Sequence, residues 1–260
     1  MPRSAILNVM VQAAMKAGRS LARDFGEVQN LQVSLKGPGD FVSQADHRAE
    51  AIVHAELSKA RPDYAFLMEE RGEIAGADGQ HRFLVDPLDG TTNFLHGIPI
   101  FAVSIGLERQ GQLIAGVIYN PAMDELYTAE RGGGAFLNDR RMRVAARRKL
   151  SDSVIGTGIP HLGRGEHGRS LIELRHVMAE AAGIRRLGAA SLDLAYVAAP
   201  RRRMPAASAI TCRSSISERP CSPRPRCGMP VPITLSLSLR RAATRMRRSL
   251  RKAPPPRSAV

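Results

Sequence analysis

The stretch FLVDPLDGTTNFLHG, residues 83–97, sets two carboxylates, Asp86 and Asp89, three residues apart where an apolar run ends. Gly90, Thr91 and Thr92 follow at once. Carboxylates crowded together repel, so they hold a cation or titrate at raised pKa. Oxygen donors with no His or Cys beside them suit Mg²⁺ or Mn²⁺ rather than zinc. The glycine lets the backbone come close to a ligand, and amides at the start of a helix near Thr91 can receive an anion. Metal acids beside an anion-binding turn suggest metal-assisted phosphoryl hydrolysis. The same residues also read as a turn acid and a helix cap, with Pro87 and Gly90 as ordinary turn residues. The upstream segments MEE (68–70) and QAD (44–46) favour the cluster, because each again ends an apolar stretch in an acid.

The elements that position these groups alternate between helix and strand periods. Ile6, Val9, Met10, Ala13, Ala17 and Leu21 are spaced for the buried face of a first helix. FVSQADHRAEAIVHAELSKA reads as a short strand, a turn and a helix capped by Asp46. YAFLMEE and HRFLVDPLDG are apolar strands running into acids. Strands follow at about 100–108, 113–119 and 125–130, with Gln-Gly and Asn-Pro marking antiparallel hairpin turns. SVIGTGIP is strand-like, 168–182 helical, GIRRLG a short strand, and SLDLAYVAA opens another helix. Hairpins in the middle of such a chain favour a layered α/β or α+β fold with mixed sheets. RGGGAF (131–136) lacks the Lys-Ser/Thr of a phosphate loop and reads as a glycine hairpin. His47, His54 and His96 read as surface or packing residues, since a hard-cation site needs no imidazole. Asp193 is either a buried polar group orienting the turn before it or part of a solvated helix face.

Composition divides the chain. Residues 1–199 carry 23 basic and 23 acidic residues; residues 200–260 carry 15 basic residues and one acid, Glu218. The same 61 residues hold all three cysteines, ten of the 17 prolines and no Phe or Tyr, so they have little with which to build a core. No run of 18 apolar residues occurs, and the N-terminus lacks a secretory pattern, so the expectation is a cytoplasmic protein without a membrane span.

FLMEERGE, FLVDPLDGTTNFLHGIPIFAVSIGL, GVIYNPAMDELYTAERGGGAFLN and RRLGAASLDLAYVAA together resemble the inositol monophosphatase family, in order, over about residues 4–199. The resemblance implies a layered αβαβα sandwich, usually a homodimer, that hydrolyses a small phosphate monoester with Mg²⁺. It implies Glu69, Asp86 and Asp89 as metal ligands with the Leu88 carbonyl, and Thr91 with Asp46 to orient and activate water. Gly90 and Thr91 amides would hold the phosphate, Gly188, Ala189 and Ala190 would lie along the substrate, and Lys36 would sit near the metals. The implied chemistry is in-line attack of metal-activated water, without a phosphoenzyme. Inositol phosphate, histidinol phosphate, fructose bisphosphate and 3′-phosphonucleotides all suit the same core.

Past Ala199 the resemblance stops. The family pattern calls for Gly-Arg-x-Asp and then a Trp-Asp whose acid is a further ligand, but no acid occurs between Asp193 and Glu218. ISERPC (216–221) is what Asp-Ile-Gly-Ala-Ala-Leu becomes when GATATCGGAGCGGCCCTG is read one base late, which points to a frameshift near codon 200. The expectations are therefore a domain over 1–199, a mostly disordered basic tail over 200–260 with a weak helix near 240–252, and apolar surface left bare over 153–199. A haloacid-dehalogenase-like phosphatase would need D-x-D rather than D-x-x-D. A non-catalytic protein with a nucleic-acid-binding basic arm is the remaining alternative.

Overall fold

The strand that ends in Asp-Pro-Leu-Asp lies inside an eight-stranded mixed sheet. The computed structural model describes residues 3–27, 33–37, 40–143, 149–158, 167–199 and 207–209. Helix α1 (Ala5–Phe25) leads to a hairpin, β1 (Val33–Gly37) and β2 (Asp40–Ser43), and then to α2 (Gln44–Ala60). Strands β3 (Ala65–Met68), β4 (Gly72–Ile74) and β5 (His81–Asp89) precede the short helix α3 (Thr91–Leu95). A meander follows: β6 (Ala102–Arg109), β7 (Gln112–Asn120), β8 (Glu125–Glu130), β9 (Gly134–Leu137) and β10 (Arg140–Arg141). The large sheet has the order β10-β9-β8-β7-β6-β5-β3-β4, with β3 and β5 parallel and its other neighbours antiparallel. The glycine-rich stretch is the β8–β9 hairpin, as its lack of a Lys-Ser/Thr suggested.

Period-two alternation builds a core on each face of this sheet. Val103, Ile105, Leu107, Val117 and Tyr119 pack under α1 and α2 with Leu7, Met10, Ala17, Leu21, Val53 and Leu57. Ala102, Ile118, Tyr127 and Ala129 face the other way and meet Leu192 and Ala195 of α5 (Ala190–Ala198). The buried face of α1 also takes in Leu7, Val11 and Ala14, while Ile6 and Val9 lie at its margin. The hydrophobic face is thus rotated slightly from the one the spacing suggests.

A second, parallel sheet has the order β12 (Gly183–Arg185), β11 (Val154–Gly156), β13 (Ala207–Ala209). Helix α4 (His167–Glu180) is the crossover between β11 and β12. Its Leu171, Ile172 and Met178 are 54–62% exposed, the bare apolar surface expected in this region. Strand β13 lies beyond Pro200, where composition alone gave no reason for order. Ala-Ser-Ala joins β11 through backbone hydrogen bonds, which need no particular side chains. The expected helix at 240–252, the three cysteines and the remainder of the basic tail lie outside the described residues. Among the described residues, no helix is long and apolar enough to cross a membrane.

Candidate active site

In a regular strand, residues three apart point to opposite faces. The register of β5 against β6 changes between Asp86, opposite Ser104, and Asp89, opposite Ala102: three steps on one strand answer two on the other. This one-residue bulge at Pro87-Leu88 changes the phase, so both acids can serve one side. Gly90 then turns the chain with φ +94°, ψ +31° into α3. A Cβ at Gly90 would stand 2.9 Å from the Ile100 carbonyl and 3.1 Å from the Ala189 side chain, so only glycine fits. Phe94 fixes α3 from below, its ring packed against Phe25 of α1 and Phe101 at centroid distances of 5.6 and 5.0 Å.

Three elements bring acids toward Asp86. Its pKa is pushed well above the ordinary carboxylate range, first by burial, then by the charges of Glu69, Asp89 and Asp46. Glu69 follows β3, Asp89 ends β5, and Asp46 lies in the first turn of α2. Asp46 is therefore inside the helix rather than its cap: α2 begins at Gln44, directly after β2, and the Asp46 side chain is buried. Asp86 shares a hydrogen bond with Glu69. Its Oδ1 is enclosed with no hydrogen-bond partner among the described residues. An anionic oxygen left so is costly unless a cation or proton reaches it.

The Leu187–Ser191 segment closes the other wall. Asp89 accepts from the Ala190 amide (Oδ1, 3.1 Å), and through Oδ2 from the Ser191 amide (2.6 Å) and hydroxyl (2.5 Å). It thereby caps the N-terminus of α5 across 101 residues of sequence. Asn93 Nδ2 donates to the Ile100 and Leu187 carbonyls, both at 2.7 Å. Gly188, at φ +89°, has no room for a Cβ, which would meet the Asn93 amide at 2.9 Å. Asp193 accepts from the Leu187 amide at 3.3 Å, and burial pushes its pKa up to about 7. Asp193 is half-buried and holds the turn through the Leu187 amide, so it lies between the two readings, on the side of the polar group that orients the turn.

The other candidates fall as follows. Thr91 Oγ1 donates to the Leu88 carbonyl at 2.9 Å, so the two are neighbours at the turn. Gly188, Ala189 and Ala190 lie beside Gly90 and Asp89, through the Ala189 and Ala190 contacts above. Lys36 falls on β1, and its side chain lies outside the described residues. His54 packs its ring on Phe66 at 4.8 Å, His96 ends α3 exposed, and His47 Nδ1 stands 3.8 Å from Glu70 Oε2. Three residues escaped the sequence reading: Glu50, Asn93 and Ser191. Glu50 had one local signal, its position one helical turn after Asp46. The other two act on partners distant in sequence.

The donor chemistry fits a hard divalent cation: oxygen only, anionic, and with one enclosed carboxylate oxygen unsatisfied. Among the described residues, no three of His, Cys, Asp and Glu close into a set able to hold a metal by themselves. Asp89 is engaged at α5, and the further acid expected downstream is missing from the sequence.

A mixed sheet between helices, with acids and a glycine turn gathered at its strand ends, defines a layered α/β phosphatase. A model described as the inositol monophosphatase family matches residues 3–208, and the chain belongs to that family of metal-dependent phosphoric monoester hydrolases. It is 79% identical over 201 residues to an inositol-1-monophosphatase of Mesorhizobium japonicum, covering 77% of this chain and 76% of the relative. Among solved structures it is similar to the extragenic suppressor protein suhB of Bartonella henselae, with TM-score 0.73, 72% identity, and coverage of 75% and 76%. The IMPase of Thermotoga maritima gives TM-score 0.65 at 31% identity, covering 74% of this chain and 71% of that one. The family model ends at residue 208, so the last 52 residues lie beyond it.

Proposed function

We propose that this is the fold of an Mg²⁺-dependent inositol-1-monophosphatase, carried in this chain in impaired form. The observation that supports it is the gathering of Glu69, Asp89 and Asp46 around Asp86, beside the Gly90–Thr91 turn. Glu69, Asp86, Asp89 and the Leu88 carbonyl would hold the metal. Bound there, a divalent cation supplies charge neutralisation and water activation. The Thr91 hydroxyl spends its proton on the Leu88 carbonyl, so its oxygen is left to accept from and orient a water. Asp46, buried on α2, would take that water's proton. The Gly90 and Thr91 amides would receive the phosphate oxygens, and Gly188 to Ala190 would line the path of the alcohol. Lys36, a homodimeric state and a cytoplasmic location belong to the same reading and rest on the family likeness.

Impairment follows from the missing acid and the exposed apolar face of α4. A frameshift near codon 200 accounts for both, since one displaced base replaces the acid and the segment that would cover α4. The test is an Mg²⁺ titration against a panel of phosphate esters, run on this chain and on a frame-restored chain. The restored chain is expected to hydrolyse inositol monophosphate with Mg²⁺ and the present chain to do so poorly. Equal turnover by the two would remove the impairment. A restored chain without Mg²⁺-dependent turnover would remove the assignment.

A further inference from the structure

Glu50 is a buried carboxylate that the reaction above does not use. It lies one helical turn after Asp46, so both project from the same face of α2, and each is 1% exposed. A buried carboxylate persists only where its oxygens are satisfied. Glu50 Oε2 accepts from the Glu70 amide at 2.8 Å. The Arg71 amide also donates to it, and Arg71 Nε stands 3.4 Å from Oε1. Two successive backbone amides and one guanidinium thus converge on a single side chain. The turn they hold begins at Glu69, directly after β3. Burial pushes the Glu50 pKa up, and the two amides and Arg71 pull it partly back.

We infer that Glu50 is a positioning residue: it ties the Glu69-Glu70-Arg71 turn to α2, so that one helix sets both Asp46 and, through the backbone, the Glu69 carboxylate. This rests on the reading of Glu69 as a metal ligand. Without an anchor, this three-residue turn would swing its acids over several orientations. Anchored at the Glu70 and Arg71 amides, it presents Glu69 toward Asp86 and leaves Glu70 near His47. The helix thus carries one acid into the site itself and a second that acts only on backbone.

The test uses the full chain with Glu50→Ala and Glu50→Gln. Two quantities are read: hydrogen exchange of the Glu70 and Arg71 amides without metal, and Mn²⁺ affinity from the spin-resonance signal of free Mn²⁺. In Glu50→Ala both amides lose protection and the Mn²⁺ Kd rises about tenfold or more, the range typical of groups that orient a ligand. In Glu50→Gln one neutral acceptor remains, so protection is intermediate and the Kd rises about two- to fivefold. A role in stability alone would lower the melting temperature and leave the Kd of the folded protein unchanged, which would overturn the inference. So would equal loss in the two variants. If Glu50→Ala does not fold, Glu50→Gln decides alone: unchanged exchange and Kd overturn the inference. If the unsubstituted chain binds no Mn²⁺, exchange alone decides: unchanged protection of the Glu70 and Arg71 amides in both variants overturns the inference, while the metal reading is decided on the frame-restored chain.

Discussion

Asn93→Asp changes one atom and reverses the sign of an interaction. Asn93 is 8% exposed, and both partners of its Nδ2 at 2.7 Å are carbonyl oxygens, Ile100 and Leu187. Two acceptors fix the amide's orientation, because its oxygen cannot face them. An aspartate there loses two hydrogen bonds of about 1 kcal/mol each and leaves two buried carbonyls unsatisfied at about 1–3 kcal/mol apiece, so a total of about 4–8 kcal/mol is expected at pH 8. For a domain of this size, about 2–4 °C per kcal/mol converts that to a fall in Tm of about 8–32 °C. Facing acceptors, the new acid has a folded pKa above its unfolded value. Its contribution is therefore present at low pH and lost as pH rises through the folded pKa. The deficit against the unsubstituted chain should thus be full at pH 8 and shrink below pH 5, where the protonated acid donates again. Melting curves of both chains from pH 4.5 to 8 measure this, with the frame-restored background as a second host. A Tm within 2 °C of the unsubstituted chain at pH 8, or a deficit that does not change with pH, would refute the reasoning.

Asp193 titrates in the folded state at about 7, so its stabilising contribution is complete below about pH 4 and lost as pH rises through 7. Asp193→Asn keeps an acceptor for the Leu187 amide and should flatten that part of the stability profile; parallel urea-denaturation curves at pH 5 and 8 would count against it. Gly90→Ala forces a Cβ into the Ile100 carbonyl and the Ala189 side chain at positive φ, and should cost about 1–3 kcal/mol in denaturant titration. Ile172→Glu on the exposed face of α4 should raise the soluble fraction in a sedimentation assay while leaving Tm nearly unchanged.

Much of this was readable because it is local. The meander of β6 to β9 and the acids after β3 and β5 are announced by period-two runs and turn residues a few positions away. What the sequence concealed depends on partners far along the chain. Asp89 looks like a turn acid until Ser191, 102 residues later, is seen to donate to it. Asn93 carries no periodic signal, since its work is to hold Leu187. The short strands β4 and β10 lack the length to show alternation. Asp46 looked like a helix cap because QAD resembles a start signal, yet β2 passes into α2 without a turn, and the acid faces inward.

The Ala207–Ala209 strand has a last consequence. It extends a sheet using amides and carbonyls, which any sequence supplies, but Ala-Ser-Ala brings little apolar side chain to shield what it extends. A β-sheet can thus outgrow the hydrophobic cover available to it. Among the described residues it is an edge strand, and an edge left without such cover would pair with another copy of the same chain, so clumping would precede unfolding.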